Sequence, residues 1–181
     1  MLTHILTAVL GGPVTEAAPP LVASDLSALA RRVQEVAHQR LGRGLTIRQV
    51  DAGSCNGCEL EIHALNNVYY DLERFGLRFT ASPRHADVLL VTGPVTTQMR
   101  TALERTWAAT PAPKWVIAIG DCGCDGGVFA GGTGVVGGVG TVIPVDLTIT
   151  GCPPSPTRLL QGLLAVLEFT NGCVAAKQLQ A

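Results

Sequence analysis

At 181 residues the chain is long enough to bury one core and short for two. It is 47% hydrophobic and only 15% charged, against roughly 25% charged for an average soluble domain. A net charge of -1 leaves no electrostatic footprint for nucleic acid or an anionic membrane, and no run reaches the roughly 18–20 apolar residues that a membrane span needs.

A surface so poor in charge implies cover by partner proteins, although a compositional bias toward alanine and valine produces the same numbers. No Lys or Arg precedes the short apolar stretch Leu2–Leu10, which argues against a secretory signal and for the cytoplasm. The pair Arg31-Arg32 lies inside a helix-like segment with no apolar region after it, and reads as a solvated helix face. Six cysteines in a reducing compartment are better metal ligands, redox thiols or small core residues than disulfides.

In chain order, Met1 to Pro20 is small, apolar and broken by proline, so an irregular, partner-dependent arm is expected. Ser24 can cap a helix whose apolar positions Leu26, Leu29, Ala30, Val33, Ala37 and Leu41 fall at helical spacing, ending near Gly42 and Gly44. Thr46 to Val50 reads as a strand running into the loop Asp51-Ala-Gly-Ser-Cys-Asn-Gly-Cys58. Glu59 through Phe75 returns to a helical pattern that Gly76 stops. Ala86 to Thr92 is a continuous apolar strand, Thr97 to Ala109 a helix closed by Pro111 and Pro113, and Trp115 to Gly120 a second apolar strand leading into Asp121-Cys122. The glycine-rich stretch Gly123 to Gly140 has too little side chain to form a core. Val142 to Ile149 leads to Gly151-Cys152-Pro153-Pro154, and a last helix starts at Ser155 and Pro156, with proline in the first turn, and runs to about Phe169.

Apolar strands alternating with helices imply an α/β fold, a mostly parallel sheet covered on both faces. Ligands of such sheets collect beyond the carboxyl ends of the strands. Three cysteine-bearing loops each follow a predicted strand, so Cys55 and Cys58, Cys122, and Cys152 are expected at one edge of the sheet. The organisation expected is an arm and helix over 1–45, a cluster-binding domain over 46–172 and a tail over 173–181.

Four soft thiolates complete the iron sites of a 4Fe-4S cube. A C-x-x-C pair on a tight turn aims two sulfurs at one centre, and Asn56-Gly57 suits that turn. Pro153 and Pro154 stiffen the chain after Cys152. One C-x-x-C pair plus two single cysteines fits a structural zinc less well, because such sites usually show two pairs or paired histidines. A thioredoxin-like pair would leave Cys122 and Cys152 unexplained; unligated core thiols stay open as an alternative. Cys124, two residues past Cys122, could substitute as a ligand, and Cys173 reads as a packed thiol.

At these residues the sequence resembles a known family. Asp51-Ala-Gly-Ser-Cys-Asn-Gly-Cys-Glu-Leu-Glu61 is similar to the first cluster motif of energy-converting, membrane-bound nickel-iron hydrogenase small subunits. These are relatives of formate hydrogenlyase and of the 20 kDa subunit of respiratory complex I. Leu89-Leu-Val-Thr-Gly-Pro-Val-Thr96 with Met99, Gly120-Asp-Cys122 and Gly151-Cys-Pro-Pro-Ser-Pro156 resemble its later motifs, covering about residues 46 to 170 in the right order. Complex I subunits usually carry two adjacent cysteines at the first motif, whereas the hydrogenase branch carries C-x-x-C, as here.

The resemblance implies a flavodoxin-like domain holding one 4Fe-4S cluster on Cys55, Cys58, Cys122 and Cys152. That cluster would relay electrons between a ferredoxin-like iron–sulfur subunit and the nickel-iron site of a separate large subunit. Integral membrane subunits would complete the complex, and this chain would sit peripherally on the inner face of the cell membrane without spanning it. A complex-I-like subunit passing electrons to quinone is the alternative. Small subunits of the uptake type add two clusters through further Cys and His motifs, and this chain has too few cysteines for them.

Glu61 matches a glutamate of the family's first motif and is a candidate for a proton route; a surface carboxylate on a first helix turn is the plainer reading. Glu59 is expected to face solvent or a partner, His63 to pack or hydrogen-bond, and Tyr69 and Tyr70 to pack along a helix. Gly131 to Gly140 has neither a following Lys-Ser/Thr nor a following helix, so nucleotide binding is not expected.

Overall fold

The protein is described here by a computed structural model, in which residues 23–168 are described. The expected arm Met1 to Pro20, the Ser24 cap, Phe169, Cys173 and the tail lie outside the described residues or side chains. A 19-residue helix, α1 (Ala23–Leu41), leads into strand β1 (Thr46–Asp51). Helix α2 (Gly57–Ala64) and the two-residue strand β2 (Arg78–Phe79) follow, then β3 (Val88–Thr92) and β4 (Val95–Thr96). Next come α3 (Thr97–Ala109), β5 (Trp115–Ile119), the short helix α4 (Gly120–Asp125), β6 (Val135–Gly137), β7 (Leu147–Ile149) and α5 (Pro156–Glu168).

Five strands form one parallel sheet in the order β2-β1-β3-β5-β7. Numbered along the chain within that sheet the order is 2-1-3-4-5, the flavodoxin-like winding whose switch point lies between β1 and β3. The central strand β3 is buried along its whole length, as a strand covered on both faces must be. One apolar layer joins Ala30, Val33 and Ala37 of α1 and Leu159, Leu163 and Val166 of α5 to Ile47, Leu90, Ile117 and Ile149 of the sheet. The opposite layer sets Leu103 of α3 against Leu89, Val91, Val116 and Ala118.

Three differences from the sequence reading have local causes. The helix expected from Glu59 to Phe75 ends at Ala64, because the Asn67 side-chain carbonyl accepts from the N–H groups of Tyr69 and Tyr70 and turns the chain; only Leu72–Phe75 recovers a 3-10 turn. This is the side-chain competition that makes Asn a helix breaker, and it puts Tyr69 in an exposed turn instead of a helix interface. The strand β2 escapes a pattern reading because two residues hold no period. Lastly, the glycine-rich stretch contributes to the core after all: β6 pairs antiparallel with β4, and Val139 beyond it is fully buried.

Candidate metal centre

The loops after β1, β5 and β7 leave the sheet on one edge and carry Cys55 and Cys58, Cys122, and Cys152. The first loop is folded by its own polar side chains. Asp51 Oδ1 accepts from the N–H groups of Gly53 and Ser54, both at 2.8 Å, and Ser54 Oγ accepts from Asn56 N–H at 3.1 Å. Asn56 then takes a left-handed conformation (φ 72°) and the chain enters α2 with Cys58 in its first turn. Cys58 packs against the core, while Cys55 is exposed.

The second and third loops are joined to each other. The Asp121 N–H donates to Gly151 O at 3.1 Å, and Asp121 Oδ1 accepts from Gly151 N–H at 2.8 Å. Gly120 has φ +79°, and a Cβ placed there would stand 2.7 Å from Cys58 Sγ and 3.3 Å from Gly151 O. Gly151 has φ +137°, with Pro154 Cα 2.8 Å from the position of a Cβ. Side chains are excluded at both points, so three loops close on one another. Asp121, Cys122, Asp125, Gly127 and Cys152 line an open depression there.

The thiols share one electrostatic environment. The Cys58 thiol is pushed up to about 12, by burial first and then by Glu59, Cys122, Cys55 and Cys152. Cys122 is raised by burial, then by Cys152, Cys55 and Asp121. Four thiolates so placed repel one another, and a bound cation removes that repulsion. The set therefore fits a metal group that takes four thiolates. Among the described residues no three His, Cys, Asp or Glu side chains come close enough to share a single ion.

Cys124 is not among the thiols that act on Cys58. Its thiol is raised to about 11, by burial first and then by Asp121 and Asp125, with the Thr148 side chain acting in the opposite direction. Glu59 corrects the expectation of a solvent-facing residue: it is 4% exposed, and neither carboxylate oxygen has a hydrogen-bond partner among the described residues. Its position one residue past Cys58 in the first turn of α2 turns it inward. Glu61 is half-buried and His63 exposed. Apart from the Gly-Asp-Cys motif itself, nothing in the sequence reading singled out Asp121; a Gly-x-Cys and a Gly-Cys at two strand ends were the available signal.

The sequence pattern of the family described as NADH ubiquinone oxidoreductase, 20 Kd subunit, matches residues 55–166, from the first cysteine of the site into α5. The chain belongs to this family. Its similarity to formate hydrogenlyase subunit 7 of Escherichia coli (strain K12) is 41% identity over 167 residues, covering 92% of this chain and 62% of that protein. The chain thus spans less than two thirds of that relative's length. A probable membrane-bound hydrogenase subunit of Pyrococcus furiosus is 43% identical over 145 residues, covering 80% of this chain and 86% of the relative. Among solved structures, a chain of the membrane-bound sulfane sulfur reductase, an archaeal respiratory membrane complex, superposes with a TM-score of 0.63 at 33% identity and 72% coverage of each chain. Membership makes the chain a subunit of the kind found in oxidoreductase complexes. No helix among the described residues is long and apolar enough to cross a membrane.

Proposed function

We propose that this subunit carries one 4Fe-4S cluster on Cys55, Cys58, Cys122 and Cys152, and relays electrons between ferredoxin-type clusters of one neighbour and the nickel-iron site of a hydrogenase large subunit. The observation that carries the reading is the placement of these four cysteines on three separate loops at one sheet edge, two of those loops tied together by the Asp121–Gly151 bonds. When bound, such a cluster takes up and releases one electron at a time. The protein's own part is to hold four thiolates in fixed loops, to shield Cys58 by packing it against the core, and to leave Cys55 and Cys152 near the surface. An electron crossing to a neighbouring subunit needs that combination of rigidity and proximity to the exterior.

The apolar residues beside the site fit a docking face for the large subunit. Val128 is 85% exposed, and Phe129 and Leu60 are also exposed, the first two in the turn after α4 and Leu60 in α2 two residues past Cys58. Glu61, half-buried one turn along α2, is the proposed proton route at that interface. The complex would lie on the inner face of the cell membrane, held by integral membrane subunits. The hydrogenase assignment draws on the C-x-x-C spacing and on two relatives named for hydrogen metabolism. The family's own description names a ubiquinone oxidoreductase, which supports the second reading, electron delivery to quinone.

Metal and acid-labile sulfide analysis of the native complex, purified without oxygen through a tag on this chain, separates the readings. Nickel together with iron and sulfide is the expected result. Iron and sulfide without nickel would move the function to quinone reduction, and zinc alone would overturn both.

A further inference from the structure

We propose that Asp121 is the positioning residue of this centre: its carboxylate ties the Cys152 loop to the Cys122 loop and sets a negative charge beside the cluster. The inference rests on the four-cysteine reading above and extends it to a residue outside the ligand set. Asp121 directly precedes Cys122, and Gly151 directly precedes Cys152. Between them Asp121 engages both main-chain polar groups of Gly151, donating through its own N–H to Gly151 O at 3.1 Å and accepting through Oδ1 from Gly151 N–H at 2.8 Å. Two antiparallel bonds between the residues flanking two ligands leave the spacing of those ligands little freedom.

The tie also reaches a third thiol. Gly120, the residue before Asp121, passes directly under Cys58 Sγ and against Gly151 O. A shift of the Gly151 loop away from Asp121 would open the floor on which Cys58 rests. Cys55 is independent of it, because its loop is shaped by Asp51. No β-sheet pairing does the same work at this edge: β5 and β7 pair only as far as Ile119 and Ile149, so beyond those residues the two loops are held together by Asp121 and Gly151.

A neutral acceptor could make the same bond, so the carboxylate has a second consequence. Its negative charge lies directly before Cys122 in the chain, and Asp121 lines the same depression as Cys122 and Cys152. A fixed negative charge beside a redox centre disfavours the added electron and lowers the potential.

The test is a pair of variants, Asp121→Asn and Asp121→Ala, each isolated in the complex without oxygen. Iron and sulfide are counted, the reduced complex is examined by electron paramagnetic resonance, and the midpoint potential of this cluster is titrated. Asp121→Asn keeps an acceptor for Gly151 N–H, so it should hold wild-type iron and sulfide with a wild-type spectrum and a more positive potential. Asp121→Ala should lose the cluster signal and most of its iron and sulfide. Full iron and an unchanged spectrum in Asp121→Ala would overturn the proposal, and so would cluster loss in Asp121→Asn as severe as in Asp121→Ala. Should Asp121→Ala fail to assemble, Asp121→Asn decides alone: wild-type iron with a raised potential sustains the proposal, and an unmoved potential or lost iron overturns it. Absence of a cluster from the wild-type complex would instead refute the four-cysteine reading itself.

Discussion

Gly120→Ala places the smallest possible side chain at the point where the three cysteine loops meet. With φ +79° at this residue, an alanine there carries roughly 1–2 kcal/mol of backbone strain. Its Cβ would stand 2.7 Å from Cys58 Sγ, against an ordinary contact of about 3.5 Å, so the sulfur has to withdraw by about 0.8 Å. Cys58 packs against the core, and Gly151 O closes the other side at 3.3 Å, so the strain is not relieved by a simple rotation. Taking about 2 kcal/mol as the part that falls on the metal-bound form, cluster retention should weaken about 30-fold. The fold itself should survive, since domains hold roughly 5–15 kcal/mol. The assay is an anaerobic chelator challenge of the purified complex, followed by visible absorption and by the reduced cluster's paramagnetic signal. The variant should bleach at chelator concentrations that leave the wild type intact. Equal retention in both would refute the close contact of Gly120 with Cys58 as the floor of the site.

Leu90, 1% exposed in the middle of β3, should cost about 2–5 kcal/mol when cut to alanine, read as a lower urea midpoint; a loss under about 1 kcal/mol would contradict its central place in the core. Asp87 is buried and accepts from Arg43 at 2.8 and 2.7 Å and from the Thr46 N–H at 2.9 Å. Asp87→Ala strands that N–H and should lower stability by about 2 kcal/mol, while Arg43→Ala leaves the buried Asp87 carboxylate with no counter-charge and should cost at least as much; a clearly smaller loss in Arg43→Ala would argue against the buried carboxylate as the main cost. In the metal-free chain Cys58 is raised from 9.0 to about 12, by burial first and then by Glu59 and the neighbouring thiols, so the folded state holds this proton more tightly than the unfolded chain. Its contribution is complete below about pH 9 and is lost as pH rises toward 12. The urea midpoint of the metal-free chain should therefore be lower at about pH 10 than at about pH 8, and an equal or higher midpoint would contradict the burial of Cys58.

Much of the fold was legible because its signals are long. The apolar runs around Leu90 and Ile117 mark buried parallel strands, and α3 begins and ends where Thr96, its cap, and Ala109 put it. The placement of the cysteine loops at one sheet edge followed from the same alternation, since strand ends in a parallel sheet share an edge. The failures were short-range or orientational. The Asn67 turn that cuts α2 short depends on one side-chain acceptor competing with the helix. The inward turn of Glu59 depends on where the first turn of α2 begins, which Asn56 in its left-handed conformation decides. The bonds from Asp121 to Gly151 join residues 30 apart in sequence, and no spacing rule brings such a pair together. Val139, buried at the end of a glycine-rich stretch, shows that a segment poor in side chains can still seat one.

The central claim is that Cys55, Cys58, Cys122 and Cys152 together hold one cluster while Cys124 does not take part. The most direct test replaces each of the five by serine and measures iron, sulfide and the reduced paramagnetic spectrum of the anaerobic complex. Each of the first four variants should lose one signal and about four irons per complex, with Cys152→Ser the clearest, and Cys124→Ser should match the wild type. A full cluster in Cys152→Ser, or its loss in Cys124→Ser, would contradict the assignment.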